Sequence, residues 1–132
     1  MTSEPKRRAQ AQARADRGKE GEALAARFLQ QKGFRIRGRN FRTRFGEIDI
    51  VAEDQGQIVF VEVRSLGPSR RHLPEETIQL KKQQRLSRTA LLYLRAHRLE
   101  DRTARFDVVA VEEEGAGRIL RHVPDAFEIW ED

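Results

Sequence analysis

Four consecutive apolar residues, Ile58-Val59-Phe60-Val61, constrain this chain more than any other stretch. A strand turns successive side chains to opposite faces, so an unbroken apolar run is buried on both. The run therefore predicts a central strand with a packing layer on each side. It passes without a turn residue into Glu62-Val63-Arg64 and so carries a carboxylate into an otherwise apolar strand. Upstream, Glu47 to Ala52 also reads as a strand, and Glu53-Asp54-Gln55-Gly56 supplies a turn, with Gly56 suited to a positive φ. The two strands form a hairpin. A two-residue turn at Gln55-Gly56 and a four-residue turn over 54–57 both pair position 49 with position 62.

Around this hairpin the remaining pattern is mixed. Leu24, Ala25, Phe28 and Leu29 mark a helix over about Arg17 to Lys32, ended by Gly33. Glu22 lies on or beside that apolar stripe, where carboxylates are rare. Phe34 to Phe41 alternates Arg35, Arg37 and Arg39 with Phe34, Ile36 and Gly38, a strand with a guanidinium face that Arg42 and Arg44 prolong. That face is either a phosphate-binding edge or an edge strand protected by charge. A basic loop, Ser69-Arg70-Arg71-His72, leads to a long helix over about Glu75 to His97, with Ile78, Leu86, Ala90 and Leu94 at helical spacing and Lys82 on the same line. Strands over about Arg105 to Val111 and Arg118 to Val123 follow, and the tail from Pro124 can pack Phe127 and Trp130 back on the core. Residues 1–16 read as a basic, poorly ordered arm before a single domain over 17–132. The order of helix, three strands, helix and two strands predicts an α/β fold, a central sheet flanked by helices.

A chain of 132 residues holds one core. Its net charge of +5, with 36% charged residues, favours a polyanionic partner. The absence of cysteine excludes disulfides, thiolate metal sites and cysteine nucleophiles. No apolar run approaches a membrane span, and the polar N-terminus lacks the apolar region of a secretory signal, so a cytoplasmic location is expected. His72, His97 and His122 lack metal-ligand spacing, and Ser65 and Ser69 have no histidine partner for a serine hydrolase.

The chemistry concentrates on Asp49 and Glu62. Cross-strand partners have Cβ atoms roughly 4.5–5.5 Å apart, at which two carboxylates repel. A hard divalent cation with oxygen ligands is the natural counter-charge, and Mg²⁺ or Mn²⁺ at such a pair supports phosphodiester hydrolysis. Arg64 shares a face with Glu62 and supplies positive charge toward a phosphate. Glu47 shares a face with Asp49, either as a supporting acid or as an exposed glutamate at the start of a strand. Asp107 reads as structural, paired with an arginine.

Gly18-Lys19-Glu20-Gly21-Glu22, Asn40, Gly46-Glu47-Ile48-Asp49, Phe60-Val61-Glu62-Val63, Lys82 and Arg105-Phe106-Asp107-Val108-Val109 together resemble the YraN family of small bacterial endonuclease-like proteins. That family is itself similar to archaeal Holliday-junction resolvases of the PD-(D/E)XK nuclease superfamily. The resemblance runs from about Gly18 to Phe127. It implies a restriction-endonuclease-like core with a mixed five-stranded sheet. It also implies Glu22, Asp49 and Glu62 as metal ligands, and Lys82 as a basic group at the scissile phosphate. Lys82 can equally lay its stem along apolar surface with its head in water. The superfamily pattern ends in lysine, whereas this chain has Arg64, which keeps the charge but does not readily give up a proton.

The expectation is thus a Mg²⁺- or Mn²⁺-dependent nuclease of branched or structured DNA. Asp49, Glu62, Arg64 and Lys82 are its catalytic residues. Arg35, Arg37, Arg39, Arg42, Arg44, Arg70 and Arg71 position the backbone. RNA and a second copy of the chain are further candidate partners, and no membrane is expected. The alternatives are a nucleic-acid-binding module of the same fold without turnover, which Arg64 motivates, and a protein-interaction domain whose basic surface is incidental.

Overall fold

The computed structural model describes residues 4–66 and 78–130. The chain runs α1 (Glu4–Gln31), β1 (Arg35–Thr43), β2 (Gly46–Asp54), β3 (Gln57–Leu66), α2 (Leu80–Ala96), β4 (Ala104–Glu114) and β5 (Gly117–Phe127). The strands form one five-stranded sheet in sequence order. β3 and β4 are parallel, and the other neighbours are antiparallel. This is the mixed α/β sheet that the pattern predicts. The β2–β3 turn is the two-residue form, because Asp54 pairs with Gln57. Both turn residues, Gln55 and Gly56, have positive φ, as a tight hairpin of right-twisted strands requires.

The doubly apolar run behaves as its sequence demands. Ile58 and Phe60 pack under α2 with Leu86, Ala90, Tyr93 and Leu94. Val59 and Val61 pack under α1 with Ala25 and Leu29. All four run residues are fully buried. The sheet is therefore the middle of three layers, with β3 at its centre.

Several boundaries move. α1 begins at Glu4, so residues 4–16, expected as an arm, are helical. From Lys6 to Arg17 the sequence is mostly Ala, Gln, Arg and Lys, strong helix formers with neither Gly nor Pro among them. α2 begins at Leu80, after Gln79 in extended backbone, rather than near Glu75. The basic loop with Arg70 and Arg71 lies outside the described residues. β5 continues through Pro124 to Phe127, which an edge strand tolerates because its outer N–H groups need no partner. The Phe127 ring stacks on Phe106, and the Trp130 backbone N–H donates to Ser87 Oγ at 2.9 Å.

Asp107, fully buried on β4, ties the last two strands together. It accepts from Arg105 Nε at 2.8 Å and from the Asp125 backbone N–H at 2.9 Å, and its Oδ2 lies 2.7 Å from His122 Nε2. Burial alone would push its carboxyl up, but these partners outweigh burial and hold it below the ordinary 3.8. The stability this group contributes is therefore present above that value and is lost as pH falls through the lower folded value. Asp107→Ala should cost about 3–5 kcal/mol, because it strands Arg105 without its buried acceptor. Urea denaturation at neutral pH should show that loss, and the variant's stability should fall less steeply than the wild type's below pH about 4.

Candidate active site

The hairpin ladder stops short of its acidic pair. β2 and β3 are paired from Asp54 and Gln57 to Ile50 and Val61. Beyond that point β3 continues alongside β4 as far as Leu66. The Val63 backbone N–H is satisfied instead by the Asp49 side chain, whose Oδ2 accepts it at 2.8 Å. Alternation also slips at Asp49, because Ile48 packs on the α2 side of the sheet and Ile50 on the α1 side. Asp49 and Glu62 are therefore neighbours across a fork in the sheet rather than an ordinary cross-strand pair.

Three further features fill the fork. On the α1 side, Gly21 lets the helix backbone come down on the sheet. A Cβ there would lie 2.8 Å from Ser65 Oγ and 3.8 Å from a Val111 methyl. This close approach places Glu22 at the acidic pair. On β1, Asn40 takes a positive φ of 56°. With its amide nitrogen turned toward the acids, Asn40 donates to Glu47 Oε1 at 2.8 Å and Glu22 Oε2 at 3.1 Å. Glu22, Glu47 and Asp49 each present a carboxylate oxygen, and the three atoms lie within 4.8 Å of one another. From the α2 side, Lys82 Nζ donates to Glu62 Oε1 at 2.6 Å. Glu62 is buried, at 6% exposure, so this ion pair supplies the partner that a buried charge requires.

The electrostatics are frustrated. Burial and the neighbouring Glu62 charge push the Asp49 carboxyl up to about 8, against the pull of the Val63 N–H, with Glu22 and Glu47 adding to the rise. Glu22 is raised as well, first by burial and then by Glu47, while Arg39 and Asn40 act in the opposite sense. Three oxygen donors that repel one another this strongly suit a hard divalent cation, Mg²⁺ or Mn²⁺, better than they suit one another.

Comparison with known proteins gives the chain its family. The model described as "Uncharacterised protein family UPF0102" matches residues 21–111, which hold every side chain of the fork. The chain belongs to the UPF0102 family. A UPF0102 protein of Syntrophus aciditrophicus is 46% identical over 112 residues, covering 85% of this chain and 88% of its own length. That of Persephonella marina is 43% identical over 113 residues, covering 86% and 94%. That of Myxococcus xanthus is 42% identical over 122 residues, covering 92% and 97%.

In this UPF0102 protein the arginine row of β1 is not one face. A bulge between Ile36 and Gly38 breaks the alternation. Arg37 turns to the α2 side, donating to Tyr93 Oη at 3.2 Å and to Glu53 Oε2 at 3.5 Å. Arg35 faces Glu53 at 3.9 Å, Arg39 faces Glu22 at 3.9 Å, and Arg42 meets Glu47 at 3.1 Å. Arg44 instead stacks on Phe45, 4.9 Å from the ring centre. Arg64 is half-buried and, among the described residues, has no ion-pair or hydrogen-bond partner. Glu47 stands inside the acid cluster, although its place at the start of β2 reads more simply as exposed. Asn40 joins it, and the sequence signal was an asparagine, tolerant of positive φ, inside a strand pattern.

The raised Asp49 has a stability consequence. The folded chain keeps this proton up to about 8, whereas an unfolded aspartate loses it near 3.8, so stability without metal falls as pH rises between the two. Asp49→Asn should therefore stabilise the EDTA-treated protein at neutral pH by about 0.5–2 kcal/mol, as relief of functional-site strain commonly does. Thermal unfolding in EDTA at pH about 7.5 and about 4.5 checks it, with the gain shrinking at the lower pH.

Proposed function

We propose that this UPF0102 protein is a divalent-metal-dependent endonuclease that hydrolyses phosphodiester bonds in branched or structured DNA. One observation carries the reading: half-buried acids from α1 and β2 and a buried one from β3 converge at a fork in the sheet, and a lysine from α2 closes it. Glu22, Glu47 and Asp49 would hold the cation, with Glu62 beside them. When bound, Mg²⁺ or Mn²⁺ would supply Lewis acidity toward the phosphate and the attacking water. The choice of branched or structured DNA rests on the resolvase-like arrangement of the motifs.

The remaining groups have roles of their own. The Val63 N–H fixes the orientation of Asp49. Lys82 fixes Glu62 and brings an ammonium to the fork. That ammonium and the Arg64 guanidinium, which has no ion-pair partner among the described residues, would stabilise charge developing on a phosphate. Because Lys82 already sits on Glu62, arginine at position 64 need only supply charge.

Purified protein should cut branched DNA in Mg²⁺ or Mn²⁺, and Asp49→Ala should not. Lys82→Ala should lower the cleavage rate about 10²–10³-fold, the usual cost of one transition-state donor. Arg64→Lys should change it far less. Absence of cleavage above the Asp49→Ala background would remove the nuclease reading. Salt-sensitive DNA binding indifferent to EDTA would then favour the second reading, a nucleic-acid-binding module without turnover, for which the arginine at position 64 speaks.

A further inference from the structure

The β1–β2 hairpin and α2 together carry cations that meet no carboxylate among the described residues. Lys81, Arg85 and Arg88 are exposed and lie four and three residues apart, hence on one face of α2. Gly46 at the hairpin rests on this face, and a Cβ there would lie 3.9 Å from Arg85 Cβ and 3.7 Å from Thr89 Oγ1. The Thr43 and Thr89 hydroxyls are 3.1 Å apart, and Thr43 Oγ1 also accepts the Phe45 N–H at 3.1 Å. The hairpin tip is thus fastened to α2. At that tip the guanidinium groups of Arg44 and Arg88 lie 4.9 and 5.4 Å from the centre of the Phe45 ring. The ring attracts both cations and holds two like charges near each other. None of Arg44, Lys81, Arg85 and Arg88 has a carboxylate partner among the described residues. The contrast with β1, where Arg37, Arg39 and Arg42 face Glu53, Glu22 and Glu47, is direct.

We propose that this ridge, Arg44 with Lys81, Arg85 and Arg88, docks the phosphate backbone of duplex nucleic acid and leads it to the fork. Two placements favour nucleic acid over an anionic membrane. The ridge adjoins the fork at both ends, since Lys81 precedes Lys82 and the hairpin tip leads through Gly46 into Glu47. Its cations also span a defined length. The seven helical steps from Lys81 to Arg88 rise about 10 Å, close to three base-pair steps. The inference takes the identity of its polyanion from the phosphodiester reading above, but its binding step does not depend on cleavage.

The test uses the full chain carrying Asp49→Ala, in EDTA, with a fluorescent duplex titrated over a sodium chloride series. Adding Arg44→Ala, Arg85→Ala and Arg88→Ala should weaken binding and reduce the slope of log K against log salt by about 2–3, one phosphate contact per cation. A charge-matched set on exposed surface of α1, across the sheet from the ridge, Arg7→Ala, Arg8→Ala and Arg27→Ala, should reduce it by less than about 1. Arg88→Glu alone should weaken binding more than Arg27→Glu. Equal losses from both sets would overturn the proposal, as would ridge-dependent binding to phosphatidylglycerol vesicles tighter than to the duplex. Cleavage by the protein with Asp49 intact is scored separately: ridge-dependent binding without cleavage sinks only the nuclease reading, and cleavage indifferent to the ridge substitutions sinks only this one.

Discussion

One hydrogen bond organises the centre of this molecule. The Asp49 carboxylate accepts the Val63 N–H in place of a backbone carbonyl and so terminates the β2–β3 ladder. A buried N–H without an acceptor would cost about 1–3 kcal/mol, so the strands part here only because a side chain takes over. The fork exists on those terms, and the other acids are arranged around it. Gly21 brings α1 near enough for Glu22 to reach, and the positive φ at Asn40 lets β1 present an amide to two carboxylates. Removing the bond would leave the Val63 N–H without its acceptor at the point where the strands part.

The charges separate into two kinds. Some cations are committed within the fold: Arg37 to Glu53, Arg105 to Asp107 and Lys82 to Glu62. These pairs let carboxylates occupy buried or half-buried positions that they could not hold alone. Others face outward, and the net charge of +5 is felt through them. The acids at the fork follow the opposite rule. Burial raises the cost of their charge, and their mutual repulsion at this spacing adds to it. Proteins tolerate such an arrangement where the binding of an ion relieves it.

Much of the fold was legible because its signals are periodic. Ile58 to Val61 fixed the central strand, and the stripe from Leu24 to Leu29 placed a helix over one face. Gly56 marked a turn that pairs Asp54 with Gln57, and extending that register sets 49 opposite 62. What stayed hidden breaks periodicity. The bulge after Ile36 sent Arg37 and Arg39 to different layers, so a row of alternating arginines did not become a face. The slip at Asp49 likewise has no marker in Gly46-Glu47-Ile48-Asp49, because the contact made there, Asp49 with the Val63 N–H, is tertiary. Glu47 was underestimated for the same reason. Lys82 admitted two readings on sequence alone, and only the fold shows that its head meets Glu62 while its side chain stays partly exposed.

The groups of the fork are drawn entirely from residues 21–82, in α1, the β1–β2–β3 meander and α2. β4 and β5 add no side chain to its acids or cations. They buttress β3 from behind, through the parallel ladder and the Asp107 cluster. The proposed reactivity and the robustness of the fold thus reside in different parts of one sheet. Substitutions in the last two strands can raise or lower the melting temperature while the geometry around Asp49 drifts little, so the proposed chemistry is partly insulated from the means by which the chain stays folded.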